Sequence, residues 1–434
     1  MNIKSVVVEK KGAPIEVKDV VLDNPKANEV LIKTVATGIC HTDIARRDMG
    51  MSPYPVALGH EGSGIVEQVG DNITTIKPGD HVVVSFSYCG HCSNCLSGHP
   101  AQCEHLNELC FGGKNYDGTH RLHFKDGRDL STFFGQSSLS NYIVADEHNV
   151  VKVDPNIELK YLAPLGCGFL TGSGTIINGV KPEFGSSIII AGAGGVGLAA
   201  VMAANLYNPE HLIVLDRNDS KLKIAKELGA TDVINTSNTN DLISTIREIV
   251  PKGPEYAVDT TGYAPLIKDQ LASLTTAGKL YIIGIAGPLN LSGMDIMGDS
   301  KQVIGLIEGD AIPQLFISKL VSYYKKGKFP FDKLMSFYKF SDVKQAFADF
   351  ESGKLLNRLF YLIKVLMQLR VMLHNGLLSI IFELTILILD QSLRGWSKSQ
   401  VLNHKLQWEN CIKERLIYHH MQVKPMILDM RLFT

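Results

Sequence analysis

Four cysteines stand within one short segment of this chain, and their spacing restricts the local fold more than any other feature. They are Cys89, Cys92, Cys95 and Cys103, in the pattern Cys-x2-Cys-x2-Cys-x7-Cys. Four thiolates so close in sequence can form a closed tetrahedral shell around one Zn²⁺. The alternative is a set of four unrelated buried thiols. We interpret residues 88–104 as a lobe that a structural zinc ion holds together.

The composition is that of an ordinary soluble enzyme. The 434 residues exceed what one hydrophobic core usually holds, so we expect at least two domains. Net charge is −1, which favours neither nucleic acid nor an anionic membrane as a partner. The start of the chain has no apolar stretch long enough for a signal peptide. We therefore expect a cytoplasmic setting, where clustered cysteines bind metal rather than form disulfides.

Local sequence patterns divide the chain into two regions. Short β-type runs at 30–35 and 81–85, separated by turn signals, predict a β-rich domain in the first part. From residue 186 onward, strand candidates alternate with helical segments, which predicts a doubly wound parallel sheet and an α/β fold class. The strand candidates of this second region are 188–190, 212–215, 256–259 and 280–285.

A glycine-rich loop follows the first of these strands. Residues 192–197 read Gly-Ala-Gly-Gly-Val-Gly and open a helical stretch, and Asp216 ends the next strand. This context predicts a dinucleotide site, in which Gly192 permits the turn, Gly194 admits the pyrophosphate and Gly197 allows close helix packing. The alternative is a glycine-rich packing turn without a ligand.

Asp216 also indicates which dinucleotide binds. Its carboxylate can accept hydrogen bonds from both ribose hydroxyls and would repel a 2′-phosphate, so NAD is favoured over NADP. Arg217 weakens this preference slightly unless it is simply a solvated surface residue.

Further metal-type residues lie scattered along the chain, in Cys40-His41-Thr42-Asp43, Gly59-His60-Glu61-Gly62 and Gly166-Cys167-Gly168. Spacing alone leaves open whether they bind a metal or fill the core. Together with the cysteine lobe and the glycine-rich loop, however, these motifs resemble the zinc-dependent medium-chain alcohol dehydrogenases over residues 1–353. The resemblance implies a GroES-like catalytic domain at 1–168, a Rossmann coenzyme domain at 169–308 and a return to the catalytic domain at 309–353.

The resemblance also implies a second zinc site, which is catalytic. Its ligands would be Cys40, His60 and Cys167, with the fourth position left to water or substrate. Asp43 would orient the zinc-bound imidazole, and Glu61 would lie behind the metal.

The implied reaction is oxidation of an alcohol by hydride transfer to NAD. Thr42 is our candidate to accept the alcohol proton. Many family members carry a histidine five residues after the first zinc ligand, but Ala45 stands there in this chain. The proton would then leave through ribose hydroxyls and water, or through His41, which alternatively pairs with the cofactor phosphate. The expected cofactor-binding residues are Gly192, Gly194, Gly195, Val196, Gly197, Asp216, Arg217, Lys221, Thr171 and Gly284.

Three stretches bear on the substrate. Residues 133–138, 166–172 and 309–316, with Ala45, resemble the aryl-alcohol (benzyl-alcohol) branch, which implies a primary aromatic alcohol. The phenylalanines among them could equally be plain core. One alternative is a glutathione-linked formaldehyde dehydrogenase, although no extra cationic pocket for a glutathione carboxylate is evident. Another is a non-catalytic NAD- and zinc-binding protein. The family implies a homodimer or homotetramer, with the segment after Ile285 as the sheet edge.

The chain changes character at its end. Residues 354–434 hold 11 Lys and Arg against 5 Asp and Glu, so this tail carries +6 and the remainder −7. Family members end soon after the segment matching Gly353 and Lys354, in a short strand that this chain does not repeat. Our hypothesis is a one-base shift of reading frame at Lys354, which would make 354–434 an atypical tail and remove that strand.

A membrane tail is the rival interpretation. Residues 377–389 are apolar, but the run is short and contains Glu383, so it cannot span a bilayer. An amphipathic helix on a surface or a partner remains open. We expect no membrane partner.

Overall fold

The computed structural model describes residues 1–50 and 53–353, and it describes the backbone alone for 357–361, 367–368 and 383–384. Residues Met1–Ile363 form one compact unit. Of the second unit, Lys364–Thr434, only two antiparallel two-residue strands at 367–368 and 383–384 are described.

The first part of the chain is built mainly from antiparallel strands, as the sequence predicts. In chain order they are β1 (Asn2–Val8), β2 (Glu16–Leu22), β3 (Glu29–Gly38), β4 (Val56–Ala57), β5 (Gly62–Val69), β6 (His81–Val84), β7 (Leu122–His123), β8 (Asp129–Leu130), β9 (Tyr142–Asp146) and β10 (Val150–Lys152). One sheet has the order β4-β1-β2-β7-β8, and a second contains β10-β6-β5-β3 with β9 on β3. Three helices interrupt them: α1 (His41–Met49), α2 (Ser93–Leu96) and α3 (Leu106–Phe111).

The second part contains a six-stranded parallel sheet. Its strands are β11 (Ile188–Ala191), β12 (Leu212–Asp216), β13 (Asp232–Asn235), β14 (Tyr256–Asp259), β15 (Lys279–Ile282) and β16 (Gln302–Gly305). Its helices are α4 (Gly168–Gly174), α5 (Gly195–Asn205), α6 (Asp219–Glu227), α7 (Leu242–Ile249), α8 (Ala264–Ser273) and α9 (Gly293–Met297). The order β13-β12-β11-β14-β15-β16 reverses direction beside β11, and ligands bind at such a switch point.

The strand predicted at 280–285 is shorter than expected, because β15 ends at Ile282. The backbone N–H groups of Ile283 and Gly284 both donate to the carbonyl oxygen of Asp259. Two successive amides directed at one acceptor turn the chain out of the sheet, which an apolar run in the sequence does not reveal.

The chain then returns to the second antiparallel sheet through α10 (Pro313–Lys325), β17 (Met335–Lys339) and α11 (Val343–Glu351). A final strand, β18 (Asn357–Tyr361), lies between β3 and β17, antiparallel to the first and parallel to the second. The expected loss of a last strand is therefore wrong for the backbone at 357–361. The apolar run 377–389 lies outside the described ranges except for residues 383–384, and the reading-frame hypothesis stays a prediction. Within the described residues, the structure contains no helix of the length and apolarity that crossing a membrane requires.

Candidate active site

The four clustered cysteines converge in space. Cys89 Sγ lies 3.9 Å from Cys95 Sγ, and Cys92 Sγ lies 4.0 Å from Cys103 Sγ. Four sulfurs at ~2.3 Å from one tetrahedral zinc ion are about 3.8 Å apart, so the set fits zinc. Backbone N–H groups donate to two of the sulfurs, Cys89 and Cys103. Such donors stabilise the thiolate that zinc requires.

Local electrostatics act on the four thiols in opposite directions, because burial raises the pKa of Cys95 and of Cys103. Backbone N–H donors from Glu104 and Cys95 lower the pKa of the Cys92 thiol to about 6. A fifth cysteine, Cys110, lies outside the group, is buried, and donates from Sγ to the carbonyl oxygen of Ser87. It belongs to the hydrophobic core.

A second group of metal-type side chains forms between the two parts of the first unit. Ligand atoms of Cys40, His60, Glu61 and Cys167 all lie within 4.8 Å of one another. Cys40 precedes α1, His60 and Glu61 precede β5, and Cys167 precedes α4. The hydrogen bond between the two thiols lowers the pKa of Cys40 well below its usual range and raises that of Cys167.

His60 provides the test of whether this group fits a metal. The imidazole is fully buried, and its Nδ1 lies 3.3 Å from Asp43 Oδ2. Its Nε2 has no hydrogen-bond partner among the residues that the structure describes. A buried nitrogen without a partner is costly unless it binds a ligand, and a carboxylate on the opposite ring nitrogen is usual for a metal-bound histidine. The residues therefore fit zinc.

Asp43 is fixed in position by the backbone around it. It is fully buried, and its carboxylate accepts hydrogen bonds from the N–H groups of Cys40 (3.0 Å) and Gly59 (2.9 Å). Burial lowers the pKa of His60, but Asp43 and Cys40 together outweigh that effect and raise the pKa well above the usual value.

Two phenylalanines pack against the same imidazole. The ring of Phe134 is stacked on His60 with centroids 4.6 Å apart, and Phe133 meets it edge-on at 5.3 Å. Phe111 packs on Phe134 at 5.2 Å. The sequence marks residues 133–138 only by resemblance and does not place them on His60. The structure thus surrounds this histidine with an aromatic cluster of Phe111, Phe133 and Phe134.

Glu61 lies behind the group in a niche made by two glycines. Its Oε1 accepts a hydrogen bond from the N–H of Gly168 (2.9 Å), and a Cβ on Gly38 would lie 1.9 Å from its Oε2. Burial, and then the charge of Cys40, raise the pKa of this carboxyl well above its usual range.

The residues proposed for proton transfer lie at the start of α1. Thr42 is half-buried, with Oγ1 3.5 Å from Cys40 Sγ. His41 is exposed and packs against the Phe350 ring at 4.6 Å. Ala45 follows on the same helix and carries no exchangeable proton, so α1 offers Thr42 and His41 to such a route.

The glycine-rich loop has the geometry that the motif predicts. Gly192 adopts φ +93°, and a Cβ there would lie 2.3 Å from Thr260 Oγ1. A Cβ on Gly197 would lie 1.7 Å from the carbonyl oxygen of Gly192. At Gly194, by contrast, no atom of the described residues, apart from Gly194 and its chain neighbours, lies within 4 Å of such a Cβ. The loop therefore leaves open space at the N-terminus of α5, where a phosphate is favoured.

Asp216 lies beside this loop at the end of β12. Its Oδ2 accepts a hydrogen bond from Ala193 N (2.7 Å) and its Oδ1 accepts one from Asn218 N (2.9 Å). Each oxygen keeps a further lone pair for a ribose hydroxyl. Arg217 is exposed in the following turn, and Lys221 lies in the first turn of α6.

The remaining predicted cofactor residues lie at the same crevice. Gly284 follows β15, where a Cβ would lie 2.6 Å from Gly262 N. Gly195 and Val196 begin α5, and Thr171 lies in α4.

One buried acid in this region escaped the sequence analysis. Glu308 Oε2 accepts a hydrogen bond from Thr171 Oγ1 (3.3 Å), and its Oε1 lies 3.8 Å from Cys167 Sγ. Burial raises the pKa of Glu308 to about 7. The signal available in the sequence was a single acid ending an apolar run, Ile304-Gly305-Leu306-Ile307-Glu308.

Known proteins resemble this chain across both parts of its first unit. The family model of the alcohol dehydrogenase GroES-like domain matches residues 26–155, and that of the zinc-binding dehydrogenase domain matches residues 195–322. The matched ranges include Cys40, His60, the cysteine lobe and the second half of the glycine-rich loop, residues 195–197.

Named relatives extend the match over most of the chain. Geraniol dehydrogenase of Castellaniella defragrans is 38% identical over 358 residues, which are 82% of this chain and 96% of that relative. S-(hydroxymethyl)glutathione dehydrogenase of Paracoccus denitrificans is 33% identical over 353 residues, or 77% of this chain and 93% of the relative. The crystal structure of benzyl alcohol dehydrogenase from Acinetobacter calcoaceticus matches with a TM-score of 0.79 and 38% identity, covering 84% of this chain and 100% of that one.

Proposed function

The chain belongs to the zinc-dependent medium-chain alcohol dehydrogenase family, and from that premise we propose that it oxidises a primary aromatic or similarly apolar alcohol to its aldehyde with NAD. The observation that carries this proposal is the convergence of Cys40, His60 and Cys167, with the free Nε2 of His60 directed into the group. Three protein ligands suit a catalytic zinc, which keeps a further position for substrate.

Each residue of the site would have a distinct task. Bound zinc lowers the pKa of the alcohol, and NAD accepts the hydride. Thr42 would take the alcohol proton through its hydroxyl, and Asp43 would hold the His60 ring in the correct tautomer and orientation. From Thr42 the proton would pass to ribose hydroxyls and water or to His41, because Ala45 cannot carry it. Glu61 would remain behind the metal, fixed by Gly168.

The aromatic cluster at His60 supports an apolar substrate. Phe133 and Phe134 cover the imidazole and Phe111 packs against both of them, and such apolar surroundings favour apolar ligands. The similarity to geraniol dehydrogenase and to benzyl alcohol dehydrogenase points in the same direction, since both names give an apolar unsaturated or aromatic alcohol.

The alternative substrate is the glutathione adduct of formaldehyde, which the relative from Paracoccus denitrificans oxidises by name. That substrate carries carboxylates and would need a free cation near the site. The arginines of α1 already have other contacts: Arg46 donates to the carbonyl oxygen of Pro53, and Arg47 pairs with Asp48 and Glu351. Glu308 also places an acid beside Cys167. These contacts favour the neutral alcohol.

Strand β16 lies at one edge of the parallel sheet, where a second copy of the chain could add its own sheet. We infer a homodimer or homotetramer that joins sheets at this edge, in a cytoplasmic setting. Light scattering on the purified chain tests the oligomeric state.

The test of the proposed function is a substrate comparison that follows NADH absorbance. Benzyl alcohol, geraniol and S-(hydroxymethyl)glutathione are compared by kcat/KM, with zinc measured on the same sample. We expect both neutral alcohols to exceed the glutathione adduct, and Cys40→Ala to abolish turnover. Cys110→Ala is the matched control, because this buried cysteine lies outside both groups. Preference for the glutathione adduct would overturn the substrate assignment. NAD binding without turnover of any alcohol would favour the non-catalytic alternative.

A further inference from the structure

Three successive residues after β16 have left-handed backbone conformations. Glu308, Gly309 and Asp310 adopt φ angles of +48°, +60° and +44°. Only glycine adopts this region without cost, so the surrounding structure must fix the two acids there. Gly309 itself is pressed against α4, since a Cβ would lie 2.6 Å from the carbonyl oxygen of Leu170 and 2.7 Å from Gly174 Cα.

The inner end of this turn reaches the catalytic group. Glu308 is 6% exposed, its Oε2 accepts the Thr171 hydroxyl, and its Oε1 lies against Cys167 Sγ. Within the ranges that the structure describes, no lysine, arginine or histidine lies at ion-pair distance from Glu308. A buried acid with such contacts fixes the side chains that it touches.

The outer end of the turn is bound to the cysteine lobe. Asp310 Oδ1 and Oδ2 lie 3.0 and 2.9 Å from His99 Nδ1, and Gln102 Nε2 donates to Oδ1 (3.2 Å). Both partners belong to the segment that carries the four cysteines, and Gln102 directly precedes Cys103. From the other side, Asn178 Nδ2 donates to the carbonyl oxygens of Gly309 (2.9 Å) and Asp310 (3.3 Å).

We propose that Glu308 is a positioning residue of the catalytic centre, and that Asp310 holds it in place from the cysteine lobe. The lobe then acts on catalysis through the turn 308–310, in addition to stabilising its own segment. Glu308 sets the orientation of Cys167, a proposed zinc ligand, and of Thr171, a predicted cofactor-binding residue. This inference rests on the proposed function for its kinetic readout only.

The experiment compares Glu308→Gln, Asp310→Ala and the double variant in the full-length holoenzyme. Cobalt(II) is exchanged for zinc in the site of Cys40, His60 and Cys167, because its visible absorption bands report ligand geometry at that site. We expect Glu308→Gln to shift these bands and to lower kcat about tenfold, with the KM for NAD nearly unchanged. Asp310→Ala should act in the same direction but less strongly.

The double variant decides whether the two acids act in series. If Asp310 acts through Glu308, the double variant is no worse than Glu308→Gln alone, because effects within one unit are not additive. Asp232→Asn is the matched control, since Asp232 also pairs with a histidine (His211 Nδ1, 3.1 Å) but lies in the coenzyme sheet. It should leave the cobalt bands and kcat unchanged.

Three results would overturn the proposal. Unshifted cobalt bands in Glu308→Gln, with only a lower melting temperature, would make Glu308 a merely structural acid. If the losses of kcat from the two substitutions multiply in the double variant, Asp310 does not act through Glu308. If Asp232→Asn lowers kcat as much as Asp310→Ala does, the loss of any aspartate–histidine pair has this effect, and Asp310 has no special role. If the parent chain oxidises no alcohol, the proposed function fails while the cobalt bands still test this inference.

Discussion

Gly172 in α4 lies directly against the backbone of Val196 in α5, and a Cβ on Gly172 would be 1.9 Å from the Val196 carbonyl oxygen. Helix α4, which directly follows Cys167, is thereby packed on helix α5, which begins in the glycine-rich loop. We expect this contact to fix Cys167 relative to the predicted coenzyme loop, because hydride transfer requires a short and fixed distance between the reacting groups.

Gly172→Ala should therefore disturb both coenzyme binding and stability. The added methyl group forces α4 and α5 apart, and overpacking of this kind costs about 1–3 kcal/mol of unfolding free energy. We expect a weaker affinity for NAD by fluorescence titration and a lower melting temperature. Gly293→Ala is the control, because in the described part of the chain no atom beyond the local backbone lies within 4 Å of a Cβ at that position. Equal affinity in the two variants would show that the helix contact is not rigid.

Asp43→Asn should weaken zinc binding at His60. The substitution keeps the shape of the side chain but removes the charge that faces Nδ1, and such supporting groups typically contribute about 10–100-fold to metal affinity. Competition with a chelator, read as loss of one zinc per chain, measures the change. Asp146→Asn removes the same kind of charge from a surface pair with His148 (2.7 Å) and should leave chelator sensitivity unaltered. Similar sensitivity in both variants would count against the role given to Asp43.

Cys103→Ser should remove the zinc of the cysteine lobe. Three thiolates and a hydroxyl bind zinc more weakly than four thiolates do, so the metal content should fall by one equivalent and the melting temperature should drop. Cys110→Ser is the control, because Cys110 is a nearby cysteine outside the group. This variant should retain the full metal content. Unchanged zinc in Cys103→Ser would contradict the four-sulfur site.

Asp216→Ala should shift the coenzyme preference from NAD towards NADP. The substitution removes the hydrogen bonds to the ribose and the charge that repels a 2′-phosphate. We expect the ratio of kcat/KM for NAD to that for NADP to fall by about tenfold or more, which corresponds to about 1.4 kcal/mol. Because the carboxylate also binds Ala193 N and Asn218 N, a melting curve must show that the loop is intact. An unchanged ratio would leave the selectivity to other residues.

Local chemistry explains which features the sequence predicted. The cysteine cluster and the glycine-rich loop are short motifs whose geometry depends on residues close in the chain. The sequence therefore predicted the position of both motifs correctly. The α/β fold class followed from strand and helix alternation for the same reason. Convergence of Cys40, His60 and Cys167 could not follow from spacing, because each precedes a different element, and only the family resemblance predicted it.

The features that the sequence missed depend on long-range packing. A left-handed turn brings Glu308 to Cys167. Phe134 stacks on His60 although the two residues are 74 positions apart in the chain. Neither contact joins residues that are close in the chain. Strand β18 was missed because its residues carry no motif, and its place between β3 and β17 is defined by the backbone of its partners.

The last prediction concerns that strand. A chain ended after Ile363 keeps β18 and should unfold at the same temperature as the full-length protein if residues 364–434 add nothing to the first unit. A chain ended after Gly353 loses β18 and leaves unpaired edges on β3 and β17, which should lower its melting temperature and expose strands that aggregate. Calorimetry and light scattering on the three chains measure both effects. Equal melting temperatures for the two shortened chains would mean that β18 contributes no stability, and DNA sequencing at Lys354 would then be the direct test of the reading-frame hypothesis.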